Sequence, residues 1–165
     1  SIYFIKTIVI KFRKRRILFY INSILTIILL NNTYNLVALH PFQYVYFNSI
    51  FENKANKLFE IDYWGLSNKF SLEKIVKDNF QKDKITIGVA SWTNLYFSEK
   101  MLDEKFKNKL VIVGQDFSDA DFIFNNNYFE INPKYDDKYN VPKNYKKYSE
   151  LKKGNILISE FYIKE

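Results

Sequence analysis

The chain of 165 residues contains no cysteine and only one histidine. Without cysteine it can form neither a disulfide bond nor a thiolate metal site, and it has no thiol nucleophile. The single histidine, His40, excludes a site built from several histidines, including the zinc-binding HExxH helix. Glycine is scarce, with four residues, and the sequence contains no GxGxxG, P-loop or GxSxG motif. The sequence therefore offers no phosphate-binding glycine loop, and no zinc site built from cysteines or from several histidines.

The net charge of +7 is concentrated at one end of the chain. Residues 1–16 hold six basic side chains and no acidic one, and five of the six lie in the stretch KFRKRR. The rest of the chain is almost neutral, with 19 basic and 18 acidic residues. A nucleic-acid-binding domain would need a basic surface, so we predict no nucleic-acid partner.

Residues 17–39, ILFYINSILTIILLNNTYNLVAL, contain no charged side chain. As a helix they would measure about 34 Å, enough to cross a hydrocarbon core of about 30 Å. We therefore predict a transmembrane helix at 17–39; the alternatives are a signal peptide and a core helix of a soluble domain.

The position of the basic stretch predicts the orientation of this helix, because basic residues favour the cytoplasmic side of a membrane. Residues 1–16 are then the end of an earlier span and a cytoplasmic loop, and the chain after His40 is extracytoplasmic, at a bacterial inner membrane. The chain does not begin with methionine, and IYFIKTIVI reads like the tail of another span. We therefore expect a fragment of a longer protein.

Beyond a junction at 40–69, residues 70–165 show alternating helix and strand patterns. Two amphipathic helices are predicted. One covers 70–80 with Ser71 as its N-cap, and the other covers 96–108 with Ser98 as its N-cap. Four strands are predicted, at 84–90, 109–114, 120–126 and 155–163. We expect the first two strands to be parallel, the second to be buried on both faces, and 127–154 to be a surface connection. The predicted fold is an N-terminal transmembrane α-helix followed by a small α/β domain of about four strands and two to three helices.

Carboxylate pairs are the remaining candidates for chemistry. Glu60 and Asp62 would share one face of an extended segment and could act as acid and base or hold a cation, although solvated carboxylates are commoner. The stretch DFSDADF, at 116–122, lacks the glycine and the terminal glutamate of an EF-hand. We predict no metal site and no cofactor in this chain.

Two sequences on either side of a short connection carry a family resemblance: HPFQYVYFN at 40–48 and FEIDYWGLS at 59–67. Following a charge-free segment, they resemble the C-terminal region of bacterial GT-C type membrane glycosyltransferases, the dolichyl-phosphate-mannose-protein mannosyltransferase-like family. The matching residues are His40, Pro41, Tyr44, Tyr46, Phe47, Asn48, Phe59, Glu60, Asp62, Tyr63, Trp64, Gly65 and Ser67. The connection SIFENKANK lacks the glycines that are usual in the family.

The resemblance implies an enzyme that moves a sugar from a polyprenyl-phosphate donor to an extracytoplasmic lipid, glycan or protein acceptor. It also implies that the catalytic acidic residue lies in an early loop outside this chain, so no catalytic residue is assigned and the chain alone is expected to be inactive. A divalent cation in the parent enzyme is left open. The alternative is a stand-alone, membrane-anchored extracytoplasmic domain for binding or assembly, without catalysis.

Six residues are candidates for substrate binding: His40, Tyr44, Asn48, Asp62, Tyr63 and Trp64. In one interpretation they only build a joint, in which Pro41 ends the membrane helix and the aromatic side chains form a belt at the membrane surface. In the other, His40 and Asp62 lie where a lipid-linked phosphate or an acceptor glycan approaches, and Trp64 stacks on a sugar ring. Membrane lipid, sugar donor and acceptor are the expected partners.

Overall fold

The computed structural model describes residues 2–47, 51–126 and 139–165. The chain divides into two compact units, Ser1–Tyr46 and Phe47–Glu165. The division falls inside the predicted junction at 40–69.

A single long helix, α1 (Ile2–Ala38), makes up most of the first unit. Its sequence has no glycine or proline to interrupt it. The portion Arg13–Ala38 is long and apolar enough to cross a membrane, and none of its most apolar window is buried. The core helix of a soluble domain would be mostly buried. The apolar helix predicted at 17–39 is present and ends within one residue of the predicted end, with the length and composition of a membrane anchor or a signal sequence. It begins at Ile2, so residues 2–16, which were predicted to contain a loop, continue the same helix.

Hydroxyl groups within α1 are bonded to the helix itself. The Ser23 hydroxyl donates to the Phe19 carbonyl at 2.9 Å, and the Thr33 hydroxyl donates to the Leu29 carbonyl at 2.9 Å. Such bonds satisfy polar side chains without water, as an apolar surrounding requires. The helix ends three residues before Pro41, whose ring disfavours helical backbone.

The second unit is built on a five-stranded sheet. Its strands are β1 (Ile85–Val89), β2 (Leu110–Gly114), β3 (Phe122–Asn125), β4 (Tyr145–Lys153) and β5 (Ile156–Lys164). Their order across the sheet is β2-β1-β3-β5-β4. β1 is parallel to both β2 and β3, whereas β5 is antiparallel to both β3 and β4. The predicted parallel pair, β1 and β2, is confirmed.

Among the described residues of this unit, four α-helices accompany the sheet: α2 (Ala55–Leu58), α3 (Asn68–Asp78), α4 (Leu95–Lys100) and α5 (Glu104–Lys107). The main core lies where α3 covers the sheet, because Leu72, Ile75 and Val76 recur at helical spacing and are fully buried. They belong to one apolar cluster with strand residues such as Ile87 and Phe124. A smaller cluster lies around Ile123 and Tyr145.

The N-caps of the two predicted helices are different from those expected. Ser71 lies inside α3, where its hydroxyl is 2.8 Å from that of Ser159. The predicted helix at 96–108 is divided into α4 and α5, and the side chain of Asn94 caps α4 by accepting from the Tyr96 amide at 2.9 Å. Ser98 is buried within α4. Both serines were wrongly predicted as caps, because each lies on the buried face inside its helix and not at the helix start.

Two strand predictions also need correction. β2 is an edge strand and not a strand buried on both faces, and its Val111 side chain is 39% exposed. The predicted connection at 127–154 contains β4, which pairs with β5 along its length. β4 is polar because it forms the other edge of the sheet, where charged side chains deter pairing with other chains. An apolar pattern could not indicate it.

Candidate functional site

The order of the strands indicates a ligand-binding position at the carboxyl end of β1. The chain passes from β1 to β2 on one side and returns to β3 on the other side of β1. Open α/β sheets bind ligands outside the carboxyl ends of the strands at such a reversal. The segments at this point are residues 90–94, which follow β1, and Asn126, which follows β3.

The DYWG sequence forms a closed turn. Asp62 is 1% exposed, and its carboxylate accepts a hydrogen bond from the Ser67 hydroxyl at 2.6 Å. The Gly65 amide donates to the Asp62 carbonyl at 2.9 Å. Gly65 has a φ of +63°, which favours glycine because a side chain would be strained there. The aspartate, the glycine and the serine of the motif therefore each hold the turn together.

A buried amide connects this turn to the segment after β1. Nδ2 of Asn126 donates to the Asp62 carbonyl at 3.1 Å and to the Thr93 hydroxyl at 3.2 Å. Oδ1 of Asn126 accepts from the Ser91 hydroxyl at 2.6 Å. Nδ2 of Asn68 also donates to the Thr93 hydroxyl, at 3.2 Å. We call these buried residues the polar cluster: Asp62, Ser67, Asn68, Ser91, Thr93 and Asn126.

The two segments that the polar cluster joins each display a tryptophan. Trp64 is 80% exposed and Trp92 is 50% exposed, and the chain has no other tryptophan. They line an open groove of about 510 Å³. The large apolar side chains that line this aromatic groove are Tyr63, Trp64, Leu66, Phe70, Trp92, Phe97 and Met101. The Tyr63 ring meets the Trp64 ring edge-on, with centroids 4.8 Å apart.

The charge of the aromatic groove is low. Among the described residues that line it, Lys69 is the one that carries a charge. Asn94 adds an exposed amide, whose Oδ1 accepts from the Tyr96 backbone. No carboxylate lies among the described residues of the groove walls.

The ionisable groups with the largest shifts lie on the β4–β5 hairpin. Lys147 forms ion pairs with Glu160 and, at 2.6 Å, with Glu150, and these bonds raise the pKa of its ammonium group. Burial raises the pKa of Tyr162 to about 12, assisted by its hydrogen bond to Glu160 at 2.9 Å. The ion pair between Lys147 and Glu160 joins β4 to β5, whereas the other two contacts each lie within one strand.

The structure brings together three of the six predicted binding residues, Asp62, Tyr63 and Trp64, within the DYWG turn. His40 and Tyr44 belong to the first unit, where Nδ1 of His40 is 2.8 Å from Nε2 of Gln43. Asn48 lies outside the described residues. Glu60 is exposed whereas Asp62 is buried, so these two carboxylates do not share a face.

The acidic side chains that follow β2 accept hydrogen bonds from nearby residues of the same domain. Asp116 accepts from the Ser118 hydroxyl at 2.7 Å, which lowers the pKa of the Asp116 carboxyl. Asp121 accepts from the amide and the hydroxyl of Thr86, both at 2.9 Å. Within the described part of the chain, no three histidine or acidic side chains are grouped as metal ligands.

Sequence reasoning missed Trp92, Asn94 and Asn126. The available signal was their position, since Trp92 and Asn94 lie in the short segment after the buried strand β1 and Asn126 directly follows β3. Comparisons with family models, curated proteins and solved structures find no match to this chain.

Proposed function

We propose that this chain is the C-terminal part of a membrane glycosyltransferase that moves a sugar from a polyprenyl-phosphate donor to an extracytoplasmic acceptor. In this proposal the catalytic acidic residue lies in an early extracytoplasmic loop outside this chain. The observation that carries the proposal is the DYWG turn, whose Asp62, Gly65 and Ser67 make specific buried contacts while Trp64 is 80% exposed.

Trp64 supports a functional role because its exposure has no benefit for folding. A buried tryptophan would remove about 150–250 Å² of largely apolar surface from water, which stabilises the folded state. An exposed tryptophan does not contribute this stabilisation. Exposed apolar patches on soluble surfaces commonly mark binding sites. A turn that only joined two elements would not need to hold an indole in solvent.

The proposed location follows from α1 and the charge pattern. We place α1 across the membrane, the basic residues at 11–16 on the cytoplasmic side and the sheet on the extracytoplasmic side. Support comes from the apolar span and from the concentration of basic residues at one of its ends.

A second candidate is a membrane-anchored binding or assembly domain without catalysis. It is favoured by the aromatic groove, whose described lining carries one lysine and no carboxylate. Both candidates require the aromatic groove to bind, and they differ in whether the whole protein transfers sugar.

The test uses the whole gene product that contains this chain, in membranes, with undecaprenyl-phosphate-linked mannose, glucose and galactose as donors. We expect transfer by the wild type and a loss of at least about tenfold in Trp64→Ala, which corresponds to ~1.4 kcal/mol of transition-state stabilisation. Phe80→Ala is the matched control, because Phe80 is exposed and lies outside the groove lining. Absence of transfer by well-folded wild type rejects the enzyme and leaves the binding domain.

A further inference from the structure

We propose that the aromatic groove binds an uncharged glycan segment, with Trp64 and Trp92 stacking on pyranose rings. The inference deepens the proposed glycosyltransferase function and rests on it for the class of ligand. The site belongs to this domain alone, and it adds Trp92 and Asn94 to the motif residue Trp64.

The walls have the chemistry that pyranose rings require. One face of a pyranose carries several C–H bonds with slight positive charge, and the face of an indole ring is negative. Two indoles and a tyrosine ring line the aromatic groove. Its volume of about 510 Å³ lies within the range of about 300–1,000 Å³ that is typical of small-ligand sites.

The walls are also held in place before a ligand arrives. Asn126 bonds to the Asp62 carbonyl on the Trp64 side and to Ser91 and Thr93 on the Trp92 side. These bonds are buried, so water does not compete for them. A wall that is already ordered lowers the entropic cost of binding.

Polar groups at the rim of the aromatic groove can form hydrogen bonds with the hydroxyl groups of a sugar. Oδ1 of Asn94 is occupied by the Tyr96 amide, which leaves the amide nitrogen of Asn94 as the end that can donate to a ligand. Lys69 adds a second donor. With one cation and no acid along the described lining, the aromatic groove favours neutral over cationic ligands.

A lipid surface is the competing occupant of exposed aromatic side chains. Aromatic residues that insert into a bilayer form a protruding apolar surface. Here they surround a concave space whose lining also includes the amide of Asn94 and the ammonium group of Lys69. The shape and the polar rim favour a glycan.

The experiment places the full 165-residue chain in phosphatidylcholine nanodiscs and titrates it with mannotriose, maltotriose, cellotriose and chitotriose. Because both tryptophans of the chain line the aromatic groove, tryptophan fluorescence, excited selectively over the 13 tyrosines, reports on this site. We expect a saturable emission change with at least one trisaccharide, and magnetisation transfer from aromatic protons to its ring C–H protons. Absence of saturable binding to all four overturns the proposal.

Single substitutions distinguish a loss of sugar stacking from a loss of folding. Trp92→Ala is expected to weaken binding at least about tenfold, Trp92→Phe to retain most of it, and Phe80→Ala to leave it unchanged. Equal affinity in Trp92→Ala, with an unchanged urea midpoint, overturns the proposal. So does tryptophan emission that is quenched by bromine-labelled lipids and insensitive to sugar, because it places the indoles in the bilayer.

Failure of this inference is distinguishable from failure of the proposed function. Sugar transfer by the whole protein that is unaffected by Trp92→Ala, with no trisaccharide binding, rejects the glycan groove and retains the enzyme. Trisaccharide binding without any sugar transfer rejects the enzyme and retains the glycan groove.

Discussion

Substituting Gly65 by alanine tests whether the DYWG turn depends on its tight contact with the polar cluster. Gly65 has a φ of +63°, and an added Cβ would lie 2.6 Å from Nδ2 of Asn68 and 3.0 Å from Cβ of Thr93. Gly114 is a matched control, since its φ is +66° and an added Cβ would have no neighbour within 4 Å. The two substitutions share the backbone strain and differ in the contact.

The structure gives a magnitude for each change. Left-handed backbone costs an alanine about 1–2 kcal/mol, which is the whole expected effect of Gly114→Ala. At Gly65 the new methyl group must also displace the Asn68 amide from the Thr93 hydroxyl, to which it donates at 3.2 Å. Breaking a buried hydrogen bond and leaving its partners unsatisfied adds about 1–3 kcal/mol. We therefore expect Gly65→Ala to lower the free energy of unfolding by about 2–5 kcal/mol.

The assay is urea unfolding of the full chain in dodecylmaltoside micelles, followed by tryptophan fluorescence. Both tryptophans lie in the second unit, so the transition reports on the α/β sheet and not on α1. Free energies are compared at constant m-value. Equal destabilisation by Gly65→Ala and Gly114→Ala would refute the idea that the turn is packed against the polar cluster.

Two further predictions concern hydrogen bonds of the second unit. Ser67→Ala removes a 2.6 Å donor from the buried carboxylate of Asp62 and is expected to cost about 1.5–3 kcal/mol in the same urea assay. The exposed Ser118→Ala should stay within about 0.5 kcal/mol, and a similar loss in both variants would contradict the burial argument. The raised pKa of Tyr162, about 12 against an ordinary 10.0, means that the unfolded chain loses this proton first as the pH rises, so stability falls between these values. Tyr162→Phe, which also removes the bond to Glu160, should flatten the decline in urea midpoint from about pH 9 to about pH 11; an unchanged slope would count against it.

The elements that were predictable from the sequence are those with a strong apolar period. α3 has buried residues at helical spacing, and β1 and β3 are short apolar runs, so local pattern and final burial agree. β4 was missed because its alternating charges resemble a loop. Its pairing with β5 depends on a neighbour that local reasoning does not provide.

The candidate site was predictable only in part, for a related reason. Trp64 and Asp62 were found because they belong to a compact motif. Trp92 and Asn126 are brought to that motif by the order of β1 and β3 in the sheet, and strand order is not encoded in any local pattern. The hydrogen bond from Asn126 to Thr93 joins residues 33 positions apart.

The structural and functional interpretations of the DYWG sequence apply to different residues. Asp62, Gly65 and Ser67 have contacts that explain them without any ligand. Those contacts do not explain Trp64, because the turn would close equally well around a small polar residue at that position. The rigid turn is therefore best understood as the support of the indole, and substitution of Trp64 should impair function while leaving the urea midpoint of the domain nearly unchanged.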